Sequence, residues 1–271
     1  MTGGLRFNAV FGGSVVGLFV LAAILGPFLL AVDPLAVNLR ARLGAPLGAA
    51  PLGTDEFGRD VLARLVYGAR TSLAIALSTT AFAVSLGGVI GLAAGFFRGW
   101  VDRALMVAND ALLAFPGLLL ALGFMAVFGA SRAGIVVALG IAYAPVVTRV
   151  VRGAVLSLRE REFVEASRVI GNPEWVTMAR HVAPNCVAPV LVIATMMLGW
   201  VVLAESALSF LGLGVPPPAP SWGNMLATGR PWLAQAPHLI LLPGLCICLT
   251  LLGVNLLGDA LRDRLDPRMR T

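Results

Sequence analysis

Between residues 71 and 97 the chain runs without one charged side chain, and that absence constrains its fold more than any other feature. An apolar run of this length crosses a hydrocarbon core of about 30 Å as a helix, because its backbone groups find no water there and must bond within the segment. The run is not isolated. By length and lack of charge, spans are expected at 7–32, 71–97, 104–128, from about 133 past Pro145 to Arg149, 186–211 and 238–257. The third holds Asp110 and a Phe115-Pro116 break, and the sixth holds Pro243-Gly244. Prolines inside spans are tolerated where neighbouring helices cover the freed carbonyls, and they often mark hinges. The expected fold class is all-α: a polytopic membrane protein with six transmembrane helices.

Composition agrees and excludes several function classes. Of 271 residues, 58% are hydrophobic and 13% charged, about half the charged share of a soluble domain. The net charge of +6 does not point to nucleic acid. The arginines cluster at the ends of apolar runs, where topology signals and anionic headgroups place them, and the aromatic interleaving of a nucleic-acid binder is missing. Every basic residue is arginine, so no phosphate-binding loop with its lysine can be written in this sequence, and any ATP hydrolysis must come from another chain. The stretch 7–32 is too long for a signal-peptide core and reads as a retained first span. Cys186, Cys246 and Cys248 lie in or beside apolar runs and read as buried, inert thiols. His181 and His238 fall on opposite sides of the expected membrane, Met196-Met197 reads as packing, and no serine-nucleophile elbow is present. No catalytic, cofactor-binding or metal-ligating residue is expected.

Two parts are expected along the chain. Residues 1–68 hold the first span and an external segment, in which Val61, Leu62, Leu65 and Val66 form the apolar face of a short interfacial helix. Residues 69–271 form the main membrane domain. The excess of arginine, including Arg98, Arg103, Arg149, Arg152, Arg159, Arg161, Arg168 and Arg180, puts both termini on the cytoplasmic side. Gly87, Gly91 and Gly95 repeat every fourth residue and predict a close helix contact. The proline-rich 215–220 stretch is a stiff external connector.

The most informative segment is 163–185, a polar, arginine-rich island between two apolar runs. Asn172 suits an N-cap, Pro173 the first helical position and Glu174 the first turn. Gly171 marks a joint between two short helices, and Pro184 is expected to stop the second. His181 reads as a helix-end residue. Charges and broken backbone keep such a hairpin out of lipid, so it reads as a docking device.

Glu165-Ala166-Ser167, followed by Gly171 and then Pro184, resembles the EAA loop of ATP-binding-cassette importer permeases. Ser167 stands where that pattern has a second alanine, and His181 and Ala183 where it has isoleucine and leucine. The ending Arg180-His181-Val182, with Pro184-Asn185, is similar to the dipeptide, oligopeptide and nickel subgroup. PLGTDEFGRD at 51–60, AESALSFLGLG at 204–214, PSWGNM at 220–225 and NLLGDALRDRLDP at 255–267 look like that subgroup's second permease subunit. The resemblance implies the type I importer permease fold, with a coupling loop at about 156–185. In it Glu165, Ala166, Gly171, Asn172, Pro173, Glu174, Trp175, Arg180, His181 and Pro184 would contact an ATPase. It further implies a homologous permease partner, two ATPase subunits carrying ATP and Mg, an extracytoplasmic binding protein, and peptides or nickel as cargo.

Two acids lie at membrane depth, where charge is costly. Glu205, near the outer end of the fifth span, either lines a pathway or bonds a neighbouring helix end or serine; the second, structural reading is preferred. Asp110 is similarly either a pathway residue or an anchor for an arginine such as Arg103. A stand-alone secondary transporter or channel is the rival function, and it would need ionisable residues coupling ions to cargo.

Overall fold

Each uncharged run folds as a helix. The structure, a computed structural model, describes residues 2–48 and 50–265. Arg268 and Arg270 and the end of the 255–267 motif lie outside the described residues. The order is α1 (Thr2–Leu29), α2 (Val61–Phe97), α3 (Gly99–Leu113), α4 (Gly117–Phe128), α5 (Arg132–Leu158), α6 (Glu162–Val169), α7 (Glu174–Thr177), α8 (Val187–Phe210), α9 (Trp222–Gly229) and α10 (His238–Leu265). Among the described residues no strand forms; one isolated bridge joins Thr54 and Asp60.

Among the described residues five helices are long and apolar enough to cross a membrane; the third expected span is broken. Its halves, α3 and α4, meet at 94° where Phe115-Pro116 interrupts the backbone ladder. With 12 residues, α4 rises about 18 Å, well short of a bilayer core. Counted as one broken span, the pair would bring the total among the described residues to six.

The segment leading into α2 corrects one expectation. Val61, Leu62, Leu65 and Val66 are not a separate interfacial helix but the first turns of α2, which runs unbroken through residue 68. A division of the chain at 68/69 therefore cuts a continuous helix. The Asp60 side chain caps it by accepting the Ala63 N–H at 2.9 Å. Val61 and Leu65 are buried in the bundle rather than laid on a surface. Arg64 is itself buried and paired with Asp55 at 3.4 Å. Asp55 also holds the preceding loop, accepting the Phe57 and Arg59 N–H groups at 2.9 and 3.0 Å and the Arg59 Nε at 2.6 Å.

At the centre of the bundle α2 lies against α5. The glycine spacing is responsible. A Cβ on Gly91 would come 2.7 Å from the Thr148 carbonyl oxygen, and one on Gly95 2.8 Å from Val155 Cβ. Gly87 meets the Ala144 carbonyl and Val147 in the same way, whereas Gly88 faces open space. Around this core, α1 packs along α10 and α2, with Leu18, Leu21, Leu25 and Phe28 exposed on its outer side. Of the three thiols, Cys186 is buried, Cys246 half-buried and Cys248 exposed on α10, so the expectation of burial holds fully only for Cys186.

Candidate functional site: a hairpin at one end of the bundle

Residues 159–186 sit at the end of the bundle where α2 and α5 finish. Helix α6 is short and amphipathic, with Val164 buried against the bundle and Glu165 and Ala166 exposed. It ends at Gly171, whose φ of +89° is left-handed. A side chain there would touch nothing within 4 Å. The glycine is therefore needed for backbone conformation alone, not for space.

The joint departs from the expected capping. Pro173, not Asn172, precedes α7, and its carbonyl accepts the Val176 and Thr177 N–H groups at 3.0 and 3.1 Å. Asn172 turns back instead, its Nδ2 donating to Ser167 Oγ at 3.1 Å. Ser167 Oγ also lies 3.0 Å from Thr177 Oγ1, and both hydroxyls are buried. The serine that replaces the family's second alanine thus ties α6 to α7. This bond was hidden in the sequence because its partner stands ten positions away.

Nor does Pro184 stop a helix. From Glu174 the backbone continues through a π turn (Met178–Val182) and a 3-10 turn (Ala183–Cys186) straight into α8. The wide turn ends with the Ala183 N–H on the Met178 carbonyl, which re-aims the chain just before a residue with no N–H to offer. His181 is consequently half-buried in mid-path rather than at a helix end. Its carbonyl accepts Asn185 Nδ2 at 2.7 Å. Arg180 and Pro184 are exposed beside it.

The hairpin presents an apolar tip on a charged base. Val169, Ile170 and Trp175 are 82%, 80% and 66% exposed around the joint. At the base, Arg98 pairs with Glu160 at 2.7 Å and Arg168 with Glu174 at 3.4 Å, while Arg159 and Arg168 both lie over the Phe96 ring. Burial first, and then the neighbouring Arg98 and Arg168 guanidiniums, push the Arg159 pKa below the usual arginine value. Glu165 opens onto a recess of about 410 Å³ shared with Arg159, Glu160, Arg168 and Val169. Ala166, Gly171, Asn172, Pro173, Glu174 and Trp175 are all exposed around it, so the structure brings the expected contact residues onto one projecting element.

Glu205 occupies a different place. It is fully buried on α8, where Ser209 Oγ donates to Oε1 at 2.8 Å and Ser221 Oγ at 2.9 Å. Ser221 caps α9, and the next residue, Trp222, is buried with its N–H on Ser72 Oγ and its Nε1 on the Leu65 carbonyl. One carboxylate thus knots α8 to α9, and Trp222 carries the knot to α2. Asp110 is exposed and paired with Arg149 of α5 at 2.7 Å, not with Arg103. Arg103 lies two turns away on the same helix, about 10 Å along the axis. Arg152 takes Asp102 in a two-pronged bond of 2.6 and 2.7 Å, which sequence reasoning missed.

The chain has relatives among known proteins. Residues 87–271 match the family model described as the binding-protein-dependent transport system inner membrane component. The chain is 40% identical over 263 residues to the dipeptide transport system permease protein of Alkalihalophilus pseudofirmus, covering 97% of this chain and 86% of the relative. It is 41% identical over 226 residues to the glutathione transport system permease protein of Pectobacterium atrosepticum, covering 83% and 75%. The di/tripeptide transport system permease protein of Pseudomonas aeruginosa is 44% identical over 219 residues, with 81% and 72% covered. Among solved structures, a chain of the inward-facing methionine ABC transporter MetNI shares the fold, with a TM-score of 0.57 at 18% identity over 75% of this chain and 96% of that one.

Proposed function

The chain belongs to the binding-protein-dependent transport system inner membrane component family, and from that premise we propose that it carries peptides inward as one of two permease subunits driven by a separate ATPase. The hairpin carries this reading. An apolar tip in water, held on a charged base and fixed to the bundle by buried Val164, Val182 and Thr177, is suited to seat in a groove of another protein. Two ATPase subunits holding ATP and Mg, a homologous permease chain and an extracytoplasmic binding protein would complete the complex. The hairpin end is then cytoplasmic, with both termini on that side. ATP-driven closure of the ATPase pair would push the hairpins and rotate the attached helices as rigid bodies, since α7 runs without interruption into α8.

Peptides rather than nickel are favoured as cargo by the dipeptide, di/tripeptide and glutathione permeases among the relatives. Coupling by an intramembrane acid is not supported, because the Glu205 carboxylate is engaged by hydroxyls of its own bundle. The test is co-purification of the ATPase with Trp175→Ala and Glu165→Lys permeases, together with hydrolysis in liposomes with and without loaded binding protein. Loss of ATPase from a folded permease is expected. If both variants retain the ATPase and hydrolysis still responds to the binding protein, the hairpin is not the coupling element.

A further inference from the structure

At the end of the bundle opposite the hairpin, α2 and α5 part around a recess of about 530 Å³. Recesses of a few hundred Å³ are the size that encloses small ligands. Its walls are largely aliphatic, and Tyr67, Thr71 and Ser78 supply hydroxyls. Two arginines face it: Arg70 from α2 and Arg132 from the first turn of α5. No acid lines it. Among the described residues neither arginine has a carboxylate partner, in contrast to Arg59, Arg64, Arg98, Arg149, Arg152 and Arg168. Asp33 belongs to the adjoining recess, beyond Tyr67 and Pro220, and its Oδ1 accepts the Leu35 N–H at 2.9 Å.

Two like charges converging on one cavity repel each other, and the N-terminal end of the α5 dipole adds to the positive field. An incoming anion reverses that balance, and guanidinium groups suit carboxylates because they can donate two parallel N–H bonds. Below Arg70, Ala74, Ser78, Ala81 and Ser85 are exposed along the same side of α2. They are small or hydroxylated, unlike the large apolar residues exposed on α1. Leu77 is exposed on the same side, so the recess continues into a wall of small, hydroxylated and aliphatic residues.

We infer that Arg70 and Arg132 receive the carboxylate of a peptide entering the permease. The inference rests on the importer reading above and deepens it: the permease itself selects for a negative group at its outer mouth.

The test uses Ser78→Cys in a permease with its three native cysteines replaced, assembled with its partner subunits in liposomes. An anionic thiosulfonate should label it about tenfold faster than a cationic one, as a focused positive field predicts. Adding Arg70→Gln and Arg132→Gln should abolish that preference, and Arg70→Lys should keep much of it. Dialanine should protect the thiol, whereas dialanine amide should not. Equal labelling by the two reagents, or equal protection by the amide, overturns the site. So does protection that follows phosphatidylglycerol in the vesicle instead of dialanine, because the arginines would then hold lipid phosphate. ATP-driven uptake separates the two claims. No uptake of dialanine or glutathione by the unaltered complex counts against the importer reading. Uptake that is normal both there and in the double Arg→Gln variant counts against the carboxylate site alone.

Discussion

Ser221 donates its hydroxyl to Glu205 Oε1 at 2.9 Å and accepts the Asn224 N–H on the same oxygen at 3.1 Å. A single atom therefore caps α9 and satisfies an acid buried in α8. The Asn224 side chain returns the favour, accepting the Ser221 N–H at 3.0 Å to close a capping box. This ties the proline-rich connector to the bundle, and both hydroxyl donors reach one oxygen, Oε1, of the buried acid.

Glu205→Gln should therefore be mild. It keeps the accepting oxygen and alters only Oε2, which has no protein partner. Assembly and melting temperature in detergent should stay near those of the parent, and transport should fall only modestly. Glu205→Leu should instead strand two buried hydroxyls, at a cost of about 1–3 kcal/mol each, and lower the melting temperature clearly. A Gln variant that assembles normally yet transports nothing would place Glu205 in the pathway.

The α2–α5 contact gives a paired prediction. Gly91→Val must push Cβ into the Thr148 carbonyl, whereas Gly88→Val projects into open space. Overpacking of this kind costs about 1–3 kcal/mol or more. The Gly91 variant should give less folded permease by size-exclusion chromatography and a lower melting temperature, while the Gly88 variant should match the parent. Equal behaviour of the two would mean that the ridge does not set the helix distance.

Topology can be read by thiol labelling in a permease lacking its native cysteines. Cysteines at Ser157 or Glu174 should react only with membrane-permeant reagents. On the opposite end Ser221 is buried and would report nothing, so exposed Gln235 is the better site and should react with impermeant reagents as well. Labelling of Glu174→Cys from outside intact cells would reverse the orientation.

Much of this architecture was legible because its causes are local. Uncharged length pointed to the spans, four-residue glycine spacing to a close contact on α2 though not to its partner α5, and Phe115-Pro116 to a break in the third apolar run. Its 94° angle was not legible, since the packing of α4 on α5 decides it. The early start of α2 was not legible, because the charges at Arg64 and Arg70 precede the uncharged run and the pairing of Arg64 with Asp55, nine positions upstream, follows no helical period. In the hairpin, Gly171 was readable as a joint from residue type alone. Ser167 with Thr177, and Asp110 with Arg149, were not, because each bond joins elements whose relative placement only the fold determines.

Gly171 offers the sharpest test of how the hairpin works. With no atom within 4 Å of a built Cβ, substitution there meets no steric barrier, and the φ of +89° is the sole obstacle. Residues differ in how well they accept left-handed backbone: asparagine tolerates it with less strain than other side chains, whereas a β-branched residue is a true outlier there. Gly171→Asn should accordingly keep ATPase binding and cargo-stimulated hydrolysis near the parent. Gly171→Val should force φ negative and re-aim α7, carrying Trp175 away from its seat, so that ATPase recovered by pull-down falls severalfold while the permease stays folded in the membrane. A requirement for surface shape instead of backbone geometry would make both variants fail alike. If Gly171→Val couples normally, α7 need not be held at this angle, and transmission through the hairpin is wrong.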